Sequence, residues 1–319
     1  MTKNKILLIG YSNISKKRYI NTFLKQKIEF SVASKSYKRK IRGVSEQYSN
    51  YDEAITNSEA NIAFISLPNS LHFYWAKKAL LHGYHVIVDK PLSNKVKETK
   101  KLINIAKKNK KLLSEAIFYN YHRQIKKIQN ILKKSGKLNA IKVQFVIPMP
   151  SKKSLLMSAN FSGGAIMDMG PYASSIHRIF FRKKIISKKL YIKLNSKKLP
   201  ISFKIKINYK NQCYNGLFKF GGEYKNEIIF FTKNKVLSIQ RLFSPPEELD
   251  LNINVINKNK VQNIKVLRDN CFENYLLEVL KNINLKKYSF YFKQILQDHL
   301  FRDKIEKKFL KMILNNFIF

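Results

Sequence analysis

Five short apolar runs recur through the opening third of this 319-residue chain, and the stretches between them carry helical rather than strand-like periodicity. The runs are Lys5–Gly10, Phe30–Ser34, Asn61–Leu67, His85–Lys90 and Leu112–Ala116, each bounded by polar turn residues. A run this short and apolar on both faces suits a strand covered from two sides. Amphipathic patterns over Lys16–Gln26, Ser70–Leu81 and Ser93–Lys108 fill the gaps, with Ser70 and Ser93 as N-caps and Gly83 as a stop. Strands alternating with helices require crossover connections, so a parallel, doubly wound α/β sheet is expected.

Beyond Glu115 the alternation stops. The pattern predicts a helix over Tyr119–Lys134, a strand over Ile141–Ile147, a loop through Pro148 and Pro150, and a helix after Gly164. Strand-like runs then follow without helices between them: Ile201–Tyr209, Tyr214–Phe220, Glu227–Thr232, Val236–Leu242, Leu251–Ile256 and Gln262–Val266. Their succession predicts a mainly antiparallel sheet. Helices over Phe272–Ile283 and Ser289–Leu314 finish the chain, and Lys152–Ser158 and Ser244–Glu248 read as loops. The length accommodates two cores, which places a boundary between residues 1–118 and an α+β domain over 119–319.

Charge needs an account before function does. The chain carries 62 Lys and Arg against 20 Asp and Glu, a net +42. Nucleic-acid binding, membrane-surface binding and an AT-rich genome all compete as explanations. Lys, Asn, Ile, Phe and Tyr, whose codons can be built from A and T alone, are abundant, while Gly, Pro and Trp number 10, 8 and 1. The lysines are scattered rather than striped, and no reading module accompanies them, so genome composition is the favoured account and no specific nucleic-acid partner is expected. The resulting field still attracts polyanions. No apolar run approaches the roughly 18 residues of a membrane span, and the run after Lys5 is too short for a signal peptide. Cys213 and Cys271 lack metal spacing and read as free thiols in a reducing cytoplasm. His82, His85, His122, His177 and His299 show no metal spacing either, so no metal is expected.

Four segments carry chemistry. Gly10-Tyr11-Ser12-Asn13-Ile14-Ser15 occupies the first strand–turn–helix, where a dinucleotide fingerprint G-x-G-x-x-G belongs, with serines at the second and third glycine places. Gly10, Ser12, Asn13 and Ile14 are its candidate cofactor ligands. The second strand ends Val32-Ala33-Ser34-Lys35 without the acid that binds an NAD ribose, and Lys38, Arg39 and Lys40 follow. Ser34 and Lys35 therefore favour NADP(H) over NAD(H). In Ser66-Leu67-Pro68-Asn69-Ser70-Leu71-His72, Pro68 stops a strand, and Leu67, Pro68, Asn69 and His72 form a turn toward the ligand crevice, with His72 as a structural hydrogen-bonder. Asp89-Lys90-Pro91 ends a buried strand at the carboxyl edge, and Gly163-Gly164 precedes Asp168 and Tyr172, glycines that allow close backbone approach.

The chain resembles the glucose–fructose oxidoreductase / inositol dehydrogenase / MocA family over essentially its whole length. Ser66–His72, His82–Leu92, Glu115–His122, Gly163–Tyr172 and Gly221-Gly222-Glu223-Tyr224 carry the resemblance. It implies a Rossmann dinucleotide-binding domain followed by an α+β domain whose open sheet packs in homo-oligomers. It also implies NAD(P)-dependent oxidation or reduction of sugars or related compounds. Residue by residue, Lys90 matches the family's catalytic lysine and Asp168 its substrate-binding aspartate, and Tyr172 stands where members carry histidine or tyrosine. Tyr119 and Asp89 fall within matching segments, as substrate and cofactor contacts. Asp89 replaces a glutamate, while Asn120 and Arg123 replace an arginine and a proline, departures that bear on substrate identity.

The chemistry is consistent with these roles. A tyrosine of ordinary pKa about 10 is a weak base near neutrality, and a nearby ammonium favours its phenolate. Lys90 supplies that charge in the implied mechanism, and Asp168 and Tyr172, spaced i and i+4, share a face if the helix already includes them. The expected protein is a cytoplasmic NADP(H)-dependent oxidoreductase of a sugar, with a nucleotide-linked keto-sugar as one form of substrate. The rival is a non-catalytic sensor or scaffold whose cofactor turn has decayed.

Overall fold

The structure, a computed structural model, describes residues 4–36, 39–181, 184–258 and 260–315. They form two compact units. In the first, β1 (Lys5–Ile9) leads through a π-helical turn (Ser15–Tyr19) into α1 (Ile20–Lys25), followed by β2 (Glu29–Ala33), β3 (Gln47–Tyr48) and α2 (Tyr51–Asn57). Then come β4 (Ile62–Ile65), a 3₁₀ turn (Asn69–Leu71), α3 (His72–Leu81), β5 (His85–Asp89), α4 (Val96–Lys108) and β6 (Leu113–Ala116). The strands are parallel in the order β3-β2-β1-β4-β5-β6, as the alternating pattern predicts. Ile6–Ile9, Ile62–Ile65 and Val86–Val88 are inaccessible to solvent, so the central strands are covered on both faces.

β3 and α2 escape the sequence pattern for plain reasons. β3 is two residues long, and α2 buries only Tyr51, Ala54 and Ile55. Both serine caps are corrected. α3 starts at His72 after the 3₁₀ turn and has no side-chain cap. α4 starts at Val96, where Glu98 accepts from the Lys95 N–H at 3.1 Å, while the Ser93 hydroxyl bonds Thr99 at 2.8 Å. Gly83 ends α3 as expected, with φ +85°.

The second unit opens with a 3₁₀ turn (Phe118–Tyr121), α5 (Arg123–Lys133), β7 (Leu138–Ile147) and α6 (Ala165–Phe180). The predicted helix over Tyr119–Lys134 is divided because His122 is extended, its Nδ1 accepting from the Gln124 N–H at 3.2 Å as an N-cap. Then come β8 (Ser187–Leu194), β9 (Pro200–Tyr209), β10 (Gln212–Phe220), β11 (Lys225–Thr232), β12 (Val236–Gln240), β13 (Leu251–Asn257) and β14 (Lys260–Val266). They form one sheet, β14-β13-β12-β11-β7-β10-β9-β8, antiparallel except where β7 runs parallel to β10. β8, an edge strand with exposed Lys188 and Lys189, lacks the apolar run that marks its neighbours. α6 lies against β9 and β10.

α7 (Cys271–Asn284) and α8 (Ser289–Asn315) complete the chain. The first unit ends at Ile117, one residue before the expected boundary, and Asn160–Ser162 and Phe272–Leu300 also belong with it. Phe272 stacks on Tyr19 with centroids 4.6 Å apart, Tyr275 donates to the Ser114 hydroxyl at 2.7 Å, and Phe292 and Ile295 enter the core beside Leu102 and Leu113. Sequence order hides this return, since a helix pattern does not say which core its apolar face joins.

Candidate functional site

In the first unit the strand order turns between β1 and β4, the switch point at which doubly wound sheets bind ligands. Gly10 leaves β1 at φ +102°, and a Cβ there would stand 2.1 Å from the Ser66 carbonyl oxygen. No side chain fits, so this fingerprint glycine is fixed by the approach of β4. Its N–H donates to the Ala33 carbonyl at 2.9 Å. The turn runs straight into a helix, whose first N–H groups lack intrahelical acceptors and favour an anion. Asn13 and Ile14 lie there, both exposed. Gly10 and this helix start therefore suit a dinucleotide diphosphate.

The serines in place of the other two glycines are fully engaged. Ser12 Oγ lies 2.8 Å from Ser15 Oγ and 3.0 Å from Ser66 Oγ, and it accepts from the Ser15 N–H at 3.1 Å. Ser15 Oγ is also 3.0 Å from Ser66 Oγ, and Ser66 Oγ donates to Asp89 Oδ2 at 2.7 Å. Tyr19 OH donates to Asp89 Oδ1 at 2.6 Å. Burial pushes the Asp89 carboxyl up, opposed by the bonds from Tyr19 and Ser66 and by the nearby His72 and Lys90 charges. Asp89, half-buried at the end of β5, thus anchors protein hydroxyls on both its oxygens. Sequence reading missed Ser15, Tyr19 and Ser66 as partners because they meet only across β1, β4 and β5.

Other positions sort similarly. His72 is fully buried, its Nδ1 2.7 Å from the Pro91 carbonyl and its Nε2 2.7 Å from the Leu67 carbonyl. Its ring ties the Leu67–Pro68 turn to the segment after Lys90, the structural role expected of it rather than cofactor contact. Asn69 donates through Nδ2 to the Ser162 carbonyl at 3.0 Å. Ser34 is buried, whereas Lys35 is exposed with its ammonium 5.1 Å from the Tyr51 ring centre. A cation at the end of β2 is therefore present, and the Ser34 hydroxyl is withdrawn from the surface. Arg39 and Lys40 are exposed, and Lys38 lies outside the described residues. Leu67, Pro68 and Lys90 are half-buried at the carboxyl ends of β4 and β5, and the Lys90–Pro91 bond is cis.

In the second unit, Gly164 starts α6 at φ +96°, and a Cβ on Gly163 would meet the Leu156 carbonyl oxygen at 2.6 Å. The glycine pair does admit a close backbone, that of Leu155 and Leu156. α6 begins at Ala165, so Asp168 lies in its first turn and Tyr172 one turn on, both helical and on one face. The helix dipole favours an anion at Asp168. Pro171 stands inside the helix, where it removes the N–H that would bond the Met167 carbonyl.

The Tyr172 ring is seated among aromatics. Centroids of Phe243, Phe145 and Tyr119 lie 5.1, 5.2 and 5.9 Å away, and Phe243 in turn lies 5.0 Å from Phe145 and 5.1 Å from Tyr119. Tyr119 is 1% exposed, with its hydroxyl 2.7 Å from Ser175 Oγ. Its expected substrate contact is therefore corrected to support of the Tyr172 ring. Phe145, Ser175 and Phe243 were not legible as partners of Tyr172, since no local motif carries them.

Comparison with known proteins agrees with this arrangement. Residues 4–117 match a family model described as "Oxidoreductase family, NAD-binding Rossmann fold". An uncharacterized oxidoreductase of Rhizobium meliloti is 33% identical over 141 residues, 44% of this chain and 42% of its own. A dTDP-3,4-didehydro-2,6-dideoxy-alpha-D-glucose 3-reductase of Streptomyces violaceoruber is 28% identical over 149 residues, 44% of this chain and 43% of its own. The match thus spans about two fifths of the length of these curated relatives. A crystal structure of a 3-ketoreductase from Actinomadura kijaniata, in complex with NADP and TDP-benzene, superposes with a TM-score of 0.90 at 18% identity, covering 96% of this chain and 98% of that one. That likeness shows the shared two-part α/β architecture.

Proposed function

We propose that the chain, whose residues 4–117 match the NAD-binding Rossmann model of the oxidoreductase family, is a Gfo/Idh/MocA oxidoreductase that uses NADP(H) on a sugar hydroxyl or carbonyl, with a nucleotide-linked keto-sugar as its substrate. The observation that carries this reading is Gly10 at the β1–β4 switch point, where a Cβ would strike the Ser66 carbonyl at 2.1 Å. A turn closed this tightly keeps backbone N–H groups at a ligand crevice even though two fingerprint glycines have become serines. Gly10, Ser12, Asn13 and Ile14 would hold the diphosphate, with Leu67 and Pro68 beside the nicotinamide end. The exposed Lys35 ammonium and the lack of an acid at the end of β2 support a 2′-phosphate.

When bound, the nicotinamide supplies or accepts the hydride. Lys90 would hydrogen-bond and polarise the reacting oxygen through its ammonium. Tyr172, held edgewise by Phe145, gives the proton to that oxygen in reduction and takes it back in oxidation. Asp168, at the start of α6, accepts a hydrogen bond from a neighbouring sugar hydroxyl. The similarity to a dTDP-sugar 3-reductase of Streptomyces and a 3-ketoreductase of Actinomadura supports a keto-sugar carried on a nucleotide.

A homo-oligomer built on the eight-stranded sheet, whose uncovered side exposes Lys142, Lys204, Lys206 and Phe231, is part of the same proposal. So is a cytoplasmic location, which two cysteines without a disulfide suit. Among the described residues no helix is long and apolar enough to cross a membrane. The test is thermal shift with NADPH and NADH, followed by NADPH consumption against nucleotide-linked and free keto-sugars. Ligand binding stabilises the native state, so a melting rise with NADPH and turnover of the nucleotide-linked sugar are expected. A melting temperature indifferent to both cofactors would favour a non-catalytic scaffold.

A further inference from the structure

The serines at the fingerprint places make contacts that glycines cannot, and their hydroxyl protons can be assigned in order. The Asp89 carboxylate only accepts, and it holds Tyr19 OH on one oxygen and Ser66 Oγ, at 2.7 Å, on the other. Having given its proton to Asp89, Ser66 Oγ can only accept within the serine cluster. Ser15 Oγ lies 3.0 Å away as its donor, the alternative acceptor being the Gly10 carbonyl at 3.5 Å. Ser12 Oγ accepts from the Ser15 N–H at 3.1 Å and turns its own proton inward, with Ser15 Oγ at 2.8 Å and Ser66 Oγ at 3.0 Å as acceptors. Ser15 and Ser66 are buried, while Ser12 and Asp89 at the two ends are half-buried, and Ser12 is the end that lies in the turn after β1.

We infer that Ser12, Ser15, Ser66 and Asp89 form a directed hydroxyl chain that replaces the lost glycines. Within it Ser12 is a phosphate-binding residue, and Ser66 and Asp89 are positioning residues. This rests on the cofactor-binding reading above. Direction is imposed from the buried end. With Asp89 fixing the Ser66 proton and Ser66 accepting from Ser15, Ser12 Oγ–H is the one hydroxyl proton of the chain that can turn from its internal acceptors to a ligand at the turn. A bound diphosphate oxygen takes that hydrogen bond in exchange for the contacts of Ser12 with Ser15 at 2.8 Å and Ser66 at 3.0 Å. A hydroxyl donating to an anionic oxygen makes one of the stronger classes of hydrogen bond. The chain also ties the turn after β1 to the end of β5, one residue before Lys90.

The experiment restores the glycine. If the serines are neutral drift, Ser12→Gly leaves NADPH binding unchanged or improves it, because it returns the sequence to the fingerprint. If the chain operates, Ser12→Gly raises the Kd for NADPH, measured by nucleotide fluorescence, by about tenfold. Ser66→Ala cuts the chain from its anchor and should raise the Kd severalfold. Ser66→Thr, which keeps the hydroxyl, should restore it. The double variant Ser12→Gly/Ser66→Ala should bind no more weakly than Ser12→Gly alone, because both changes remove one interaction. Circular dichroism on each variant accompanies the titration, and Ser12→Gly, which removes only a half-buried hydroxymethyl group, stands as the decisive variant if Ser66→Ala misfolds. Wild-type protein that binds NADPH while Ser12→Gly binds equally or more tightly overturns this inference and leaves the enzyme reading intact. Wild-type protein that binds neither NADPH nor NADH overturns both.

Discussion

Gly10→Ala tests the turn on which the cofactor site depends, and the structure supplies its own control. At Gly10 the backbone sits at φ +102°, and a Cβ would lie 2.1 Å from the Ser66 carbonyl oxygen, 2.8 Å from its carbon and 2.9 Å from Leu67 Cδ2. At Gly83 φ is +85°, and the nearest atom to a Cβ is Lys111 Cε at 4.0 Å. Both alanines meet the left-handed penalty, about 1–2 kcal/mol. Only Gly10→Ala adds a collision, and with backbone rather than a flexible side chain. Ser66 cannot retreat cheaply, because its N–H donates to the Ile9 carbonyl at 2.8 Å. Overpacking of this kind costs about 1–3 kcal/mol. The expected losses are therefore about 2–5 kcal/mol for Gly10→Ala and about 1–2 kcal/mol for Gly83→Ala. Urea unfolding followed by circular dichroism measures both, and NADPH titration should show impaired binding only for Gly10→Ala. If Gly10→Ala costs no more than Gly83→Ala, the β1–β4 contact does not constrain the turn and the reasoning fails.

Four further outcomes are expected. Lys90→Met and Tyr172→Phe should each slow turnover by a factor on the order of 10²–10⁴ with NADPH binding nearly intact, and unchanged turnover in both variants would exclude the mechanism. Lys35→Asp should weaken NADPH more than NADH in parallel titrations; equal losses would exclude a 2′-phosphate contact. Burial lowers the His85 pKa to about 4, whereas the unfolded imidazole keeps an ordinary value of about 6.5. The unfolded chain then binds the proton first, so stability is complete above the unfolded value and falls as pH drops toward the folded one. His85→Leu should flatten that decline in urea titrations without abolishing it, because burial also lowers His177 to about 4; an unaltered slope would refute the assignment. With a net charge of +42, affinity for DNA or RNA should be sequence-blind and fall steeply with salt in filter-binding assays, and tight selective binding at physiological salt would contradict this.

Legibility followed the range of the interactions. The parallel sheet could be read because its strands are apolar on both faces and each crossover helix carries its own periodicity. β3 could not, since two residues hold no period, nor could edge strand β8, whose lysines obscure its alternation. Asp168 and Tyr172 were legible as a pair through their spacing, but whether Pro171 opened the helix or interrupted it was not. The start of α6 at Ala165 answers that, because Gly164 adopts φ +96° and the chain enters the helix one residue later. Asp89 and Tyr119 were found as important positions and assigned ligand contacts, and His72 was read as a structural hydrogen-bonder in a turn toward the ligand. Their partners are Ser66, Ser175 and the Pro91 and Leu67 carbonyls, three of the four well removed in sequence, so only the folded chain shows that these side chains face inward.

The two units hold their functional side chains by different physics, and this decides which changes each tolerates. The cofactor turn is fixed by a chain of hydroxyls that ends on the Asp89 carboxylate. Every member has a donor role there, so isosteric loss of an oxygen does more harm than loss of a methylene. Tyr172 is fixed by rings. Phe145 and Tyr119 meet Tyr172 or Phe243 edge-on, and Phe243 lies against the other three at about 5 Å. What matters in that cluster is volume and shape, so exchange of one large apolar side chain for another is tolerated where truncation opens a cavity. A chain drawn toward lysine, asparagine and isoleucine can therefore lose glycines from its cofactor turn wherever serine supplies hydrogen bonds in return. It cannot lose Gly10, because no hydrogen bond relieves a Cβ 2.1 Å from a carbonyl oxygen.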